Sequence, residues 1–326
     1  MRLRCLVAFT LFAILACTAA PALSREARLT FGFAGVKQLH YTATLIALDR
    51  LRDRGYEPVS VFFPRPELAA QALIRGEVDL ARLDSITASN VIARGAQISM
   101  VAAPGLSEWV LVTPKTIATP QALARRRIAV HSVSSMSNGV VQYAIKKHRI
   151  ADPQILIIPG SPARAQALLQ GEIDATSLFL IDAIRLQMLA PDRFHILVDF
   201  KDLPVVDSVV VARREWLAGR QPEVQDFVRV LLETHRRITA GAEWAVARTL
   251  HLFPDQDPAF VAAAVRAYAA RGIWDVNGGI GGLTKAPEMV RFLKTLEMLP
   301  ASASENREDY TDLQHLQAVL ARIGRK

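Results

Sequence analysis

The sequence predicts an α/β protein. Two similar lobes carry parallel-type sheets flanked by helices, two crossover segments join them, and helices follow at the C-terminus. Three observations predict this: a ten-residue pattern written twice, strand and helix patterns alternating in both halves, and two extended apolar segments where the chain would pass between halves. The length agrees, since 326 residues make two units at about 150 residues per domain. Each unit could bury a core without disulfide or metal staples.

The chain opens with the basic residues Arg2 and Arg4, an apolar run at 6–16, and the small residues Ala20 and Ala22 around Pro21. That order is the pattern of a secretory signal peptide, read here as residues 1–22. The run is too short for a spanning helix, which needs about 20 apolar residues. Lipid attachment at Cys17 is the alternative, although Leu15 is bulky for such a motif. Both cysteines, Cys5 and Cys17, lie in this segment, so the processed chain has no thiol for a disulfide, a metal or nucleophilic attack.

The next elements come in two matching sets. Residues 28–33 and 127–130 alternate as strands, 40–54 and 137–149 as helices, and 59–63 and 155–158 as buried strands. Then AQALIRGEVD at 70–79 returns as AQALLQGEID at 165–174, an offset of 95 with seven of ten positions identical. Each copy reads as an amphipathic helix closed by Gly76 or Gly171, because glycine enters the left-handed conformation without steric cost. An acidic turn and a new strand follow. Strand–helix alternation of this kind implies parallel pairing.

Residues 109–113 and 205–211 are the extended apolar segments between the lobes. Helices are expected at 222–240, 258–271 and 287–299, each with a proline near its start, where the missing N–H costs nothing. Residues 301–305 read as a loose linker and 313–323 as a last helix. The expected division is therefore 1–22 leader, 23–112 with 208–300 as lobe one, 113–207 as lobe two, and 301–326 as linker and C-terminal helix.

Charge and motifs narrow the function. Lys and Arg number 39 against 31 acidic residues, a net charge of +8. No basic block is interleaved with aromatics, so nucleic-acid binding is not expected. There is no His-Glu-x-x-His or Gly-x-Ser-x-Gly spacing. The Gly-rich stretch 274–282 lacks the Gly-Lys-Ser/Thr ending of a phosphate loop. It reads as a flexible turn, with Trp274 as a cap over the cleft.

The helix-Gly-Glu-Val-Asp turn at 76–79 and its copy at 171–174, the Ser-rich helix start at 134–139, the VVVARREW run at 209–216 and the closing DYTDLQHL at 309–316 together resemble the nitrate/sulfonate/taurine class of periplasmic solute-binding proteins. The order of these motifs carries the match, which covers nearly the whole processed chain. The resemblance implies the type II periplasmic binding protein fold. It implies a secreted periplasmic monomer that captures a small anionic organic molecule, such as a sulfonate, nitrate or carboxylate, and delivers it to the permease of an ABC importer. No catalytic residue, cofactor or metal is implied. The alternative is an enzyme or sensor on the same fold acting on a thiamine-pyrimidine-like or aromatic molecule. The signal peptide argues against the cytoplasmic enzymes, and the missing cysteines against the thiamine-pyrimidine one. The loop at 35–41 lacks the proline that often opens the following helix in the family, which bears on the ligand more than on the fold.

In parallel α/β sheets, ligands sit outside the carboxyl ends of strands, which points to loops 35–41, 83–87, 104–109, 132–138 and 178–182. Ser134, Ser135, Ser137 and Asn138 offer donors at a helix start, where the dipole favours an anion; ordinary N-capping is the plain reading. Lys37, Gln38, His40 and Tyr41 offer polar and stacking contacts or form a solvated loop. Asp84 could cap a helix or take a ligand amine, with Ser85 beside it. Trp109 and Phe179 suit apolar walls or core, Asp182 resembles a second cap, and Asp207 lies on the returning crossover.

Overall fold

A computed structural model describes residues 27–326. The leader at 1–22, its processing and both cysteines lie outside the described residues. The chain begins with β1 (Ala27–Ala34), α1 (Thr42–Leu51), β2 (Tyr56–Phe63), α2 (Pro66–Arg75), β3 (Leu80–Asp84), α3 (Ser85–Ala93) and β4 (Ile98–Gly105). It then passes through β5 (Trp109–Pro114) into β6 (Arg127–Val130), α4 (Met136–His148), β7 (Gln154–Ile157), α5 (Ser161–Gln170), β8 (Ala175–Phe179), α6 (Leu180–Leu189) and β9 (Phe194–Asp199). β10 (Ser208–Arg213) returns to the first sheet. The rest is helical: α7 (Arg214–Gly219), α8 (Gln221–Ala240), α9 (Ala242–Leu252), α10 (Pro258–Ala270), α11 (Ile280–Leu283), α12 (Ala286–Thr295), α13 (Arg307–Tyr310) and α14 (Gln314–Ile323).

Two five-stranded sheets result, ordered β2-β1-β3-β10-β4 and β7-β6-β8-β5-β9. They are mixed rather than purely parallel. β1, β2 and β3 pair in parallel, as do β6, β7 and β8, but β10 runs antiparallel to β3 and β4, and β5 antiparallel to β8 and β9. A strand that enters a sheet from the other half comes in from the cleft side, so it runs against strands that end there. Its first residues therefore lie beside the carboxyl ends of the parallel strands. Ser208 sits opposite Asp84, and Trp109 opposite Phe179.

The repeat has a structural purpose. Gly76 and Gly171 close α2 and α5 at φ 79° and 77°, in the region only glycine enters freely. The aspartate that follows fastens the next sheet layer. Asp79 Oδ2 accepts from the N–H of Thr30 at 2.7 Å and its hydroxyl at 2.6 Å. Asp174 Oδ2 accepts from the N–H of Arg127 at 2.9 Å and its Nε at 3.1 Å. Each copy thus locks the middle strand of the three parallel ones to the turn ahead of its neighbour.

Both halves have apolar cores. Phe31, Phe33, Phe62 and Tyr41 form a chain of ring contacts between β1, β2 and the α1 entry, and Phe227 of α8 adds to it. α8 packs on α1, and α14 on α8, so these C-terminal helices return to the first half. α10 also reaches α6 of the second half. The stretch 274–282 is not a flexible turn. Trp274 is buried against Tyr268, Gly278 carbonyl accepts from the N–H of Ala103, and a Cβ at Gly279 would collide with Ala103. The expected linker at 301–305 is also tied down, with Ala303 buried and Glu305 paired to Arg291 and Lys294. No helix among the described residues is long and apolar enough to cross a membrane.

Candidate functional site

A cavity of about 370 Å³ lies where the two sheets face each other. It is bordered by the carboxyl ends of β1, β3 and β8, the starts of β5 and β10, and the first turns of α4 and α5. Its size suits a small organic molecule. One wall is aromatic. His40 stacks on Phe179 at 4.2 Å between ring centroids, Phe179 meets Trp109 at 4.3 Å, and Tyr41 meets His40 at 3.8 Å. His40 comes from the first half and Phe179 from the second, so this wall bridges the cleft.

The floor is charged. Arg82, on β3, donates from Nε to Ser208 Oγ at 3.1 Å and from Nη1 to the His40 carbonyl at 3.1 Å, and its Nη2 lies 3.6 Å from Glu108 Oε1. Glu108, 1% exposed, accepts from the Tyr268 hydroxyl. Asp207 accepts from Trp109 Nε1. Glu108 and Asp207 precede β5 and β10, so the two crossings each place one carboxyl beside the same arginine.

Burial governs the protonation of this group. It pushes Glu108 up to about 7, against the pull of Arg82 and the bonds from Tyr268 and Asp207. It raises Asp207, helped by repulsion from Glu108. Asp84 rises to about 6 by burial, although it accepts from the Thr87 N–H at 2.9 Å and hydroxyl at 2.8 Å. His40 is pushed well below the usual histidine range by burial and by Arg82, so it is neutral. Arg164, buried beneath the second half's wall, falls to about 10 by burial. Its three nitrogens donate to Thr176, Ser177 and Ile158.

The predicted residues divide. Gln38, His40, Tyr41, Asp84, Trp109, Ser135, Ser137, Phe179 and Asp207 border the cavity. Lys37, Ser85, Ser134, Asn138 and Asp182 are not among its lining residues. Lys37 reaches away to the Leu252 carbonyl at 2.7 Å and over the Phe253 ring. Ser85 and Asp182 are buried in the first turns of α3 and α6, behind the strand ends. Ser134 donates to Glu67 across the cleft at 2.8 Å, and Asn138 to the Val133 carbonyl at 2.8 Å.

The serines at the α4 start are already engaged. Ser135 Oγ donates to the Ser132 carbonyl at 2.9 Å. Ser177 Oγ donates to the Ser137 carbonyl, which leaves Ser137 Oγ to donate to Ser177 Oγ at 2.7 Å while accepting from the His131 N–H. What remains for an anion is the main chain, since first-turn N–H groups have no partner within their helix and Met136, Ser137, Ser161 and Ala163 border the cavity. Asp84 is a cap, as read, and its second lone pairs remain available.

Sequence reasoning missed Arg82, Glu108, His131, Arg164 and Ser161. Arg82 lies within an apolar strand, where a charged residue between Ala81 and Leu83 was the available signal, and Glu108 lies in the short connection before β5. The loop after β7, with Gly160 and Ser161 opening α5, matches the loop before α2 in the first half and follows from the repeat.

Comparison with known proteins supports the same architecture. The alkanesulfonate-binding protein SsuA from Xanthomonas axonopodis pv. citri, bound to MOPS, superposes with a TM-score of 0.67 at 18% identity, covering 85% of this chain and 96% of that one. The ligand-binding component of an ABC-type import system from Staphylococcus aureus, with zinc bound, gives 0.71 at 17% identity over 90% and 99%. The periplasmic nitrate-binding protein NrtA from Synechocystis PCC 6803 gives 0.72 at 8% identity over 91% and 89%. At these identities the likeness shows a shared periplasmic binding protein fold. No curated protein matches by sequence. The family described as NMT1/THI5 like matches residues 58–243, from β2 into α9, a span that contains both crossings and more than half of the chain. On that span, the chain belongs to the NMT1/THI5-like family.

Proposed function

We propose that this protein is exported by its leader, captures a small organic solute between its two halves, and presents it to the permease of an ABC importer. The observation that carries the reading is the cavity itself. Both halves build it at their strand ends, and both crossings run through its floor. Two connections between two sheets make a hinge, and a solute touching both halves favours the closed arrangement. The binding proteins named above for sulfonate and nitrate have this fold, which supports an acidic end on the solute. The first turns of α4 and α5 offer it main-chain N–H groups and the positive ends of helix dipoles. In this reading 23–112 and 208–300 form one lobe, 113–207 the other, and no reaction is catalysed.

Native mass spectrometry of protein purified from the cell envelope without denaturation tests it. The expected result is a processed N-terminus near residue 23 and one small molecule bound per chain, recovered chemically unchanged after incubation. A cytosolic protein with Met1 intact, or a solute converted on incubation, would refute it.

A further inference from the structure

Besides the main-chain N–H groups, one side chain between the starts of α4 and α5 has a proton left to give. His131 follows β6 and borders the cavity. Its main-chain N–H donates to Ser137 Oγ, in the first turn of α4, at 3.0 Å. Its ring Nδ1 accepts from the N–H of Gly160, the residue that opens α5, at 3.0 Å. A main-chain N–H can only donate, so Nδ1 keeps its lone pair. Burial, and then Arg164, push the His131 pKa below the usual histidine value, against the pull of Glu67. The ring is therefore neutral near pH 7, and its one proton sits on Nε2. No bond from Nε2 forms among the described residues. Its neighbours in the second half differ. Ser135 and Ser137 donate to Ser132 and Ser177, and Arg164 to Thr176, Ser177 and Ile158, although all three border the same cavity.

We propose that His131 determines which end of the solute the second half accepts, by donating from Nε2 to an oxygen held at the starts of α4 and α5. This rests on the solute-capture reading and deepens it, by naming a specificity-determining side chain. The two helix starts fix the residue at its main chain and at its ring, so the donor stands between two positive dipole ends without adding a full charge of its own. With Nδ1 held by Gly160, the ring does not exchange tautomers to suit a different group. A solute that turns an N–H or O–H to this point sets donor against donor and leaves both unpaired. Sites built around a hydrogen bond discriminate strongly on that ground. Gln38 and Ser208 also border the cavity, but from the first half and its returning strand.

Two substitutions separate the two ring nitrogens. In His131→Asn the side-chain amide reaches the place of Nδ1 and can still accept from Gly160, with nothing at Nε2. In His131→Gln the amide reaches the place of Nε2 and keeps a donor there, but gives up Gly160. Calorimetry at pH 7.5 with propane-1-sulfonate and with benzoate reads affinity, and thermal melts read stability. Wild-type protein should bind at least one of these acids one-to-one. His131→Asn should bind it about tenfold or more weakly, with a melting point near that of wild type. His131→Gln should melt lower, yet bind the acid more tightly than His131→Asn does. Nitrogen-15 NMR of histidine-labelled wild-type protein should show His131, assigned by its loss in either variant, protonated at Nε2 alone, and the bound acid should shift that N–H. This readout carries the same expectation should a variant fail to fold. Unchanged affinity in His131→Asn, a proton on Nδ1, or an Nε2–H unmoved by a bound acid overturns the inference and leaves solute capture standing. Failure of both acids to bind wild-type protein also overturns it, and the co-purified solute seen by mass spectrometry then decides the proposed function separately.

Discussion

Serines at the start of α4 look alike in the sequence and differ in what they hold. Ser137 joins β6, through the His131 N–H, to β8, through Ser177. Ser137→Ala should therefore lower stability by about 1–2 kcal/mol while changing the affinity for solute less than twofold, as read by thermal melts and calorimetry. A tenfold loss of affinity at unchanged stability would instead restore the hydroxyl as a ligand contact. Glu108 makes a prediction about pH. Its folded pKa of about 7 lies above its ordinary value, so the folded state binds more protons than the unfolded one between about pH 4.5 and 7. Its contribution to stability thus worsens as pH rises through that window. The groups facing it are Arg82, Tyr268, Asp207 and Asp182. His40 and His235, held neutral by burial, act in the opposite sense. The difference between Glu108→Gln and wild type reports the titration of the buried Glu108–Asp207 pair. Measured without solute, it should move in favour of the variant as pH rises from 5 to 8. A flat difference would mean that Glu108 is ionised throughout.

At the scale of elements, the closed cleft depends on α3 and α4 meeting. A Cβ at Gly139 would come 2.6 Å from Ile86 Cδ1, so the glycine lets a helix of one half lie against a helix of the other. Gly139→Val should weaken solute binding at least tenfold by holding the halves apart, with little change in the melting point of solute-free protein. Equal affinity would show that these helices separate freely without opening the site. Element boundaries were largely legible beforehand. Local rules decide them: alternation gave β1 and β6, glycine ended α2 and α5, and proline opened α8, α10 and α12. Antiparallel entry of β5 and β10 was not legible, because the direction of a strand in its sheet depends on where the chain comes from, not on its own residues. The same blindness hid Glu108. It precedes a crossing strand and becomes a floor residue only because that strand starts at the cleft. The place of Lys37 was hidden for a related reason, since its long side chain reaches α9, an element more than 200 residues away in sequence.

The whole molecule is two mixed sheets held by two crossings, with C-terminal helices bracing the first half and α10 touching the second. Tyr268 of α10 bonds Glu108 and thereby links that brace to the hinge. Small-angle scattering should show a smaller radius of gyration at saturating solute than without it, and an unchanged radius would argue against hinge closure. The repeat made the two-halved plan visible in the sequence, whereas the cavity's chemistry came from residues that meet only when both halves are folded. The measurement that tests the account most directly is a crystal structure of the protein carrying its co-purified solute. The account predicts one molecule in the cavity between the sheets, against Trp109 and Phe179 and touching both halves. A solute bound elsewhere on the surface would contradict it.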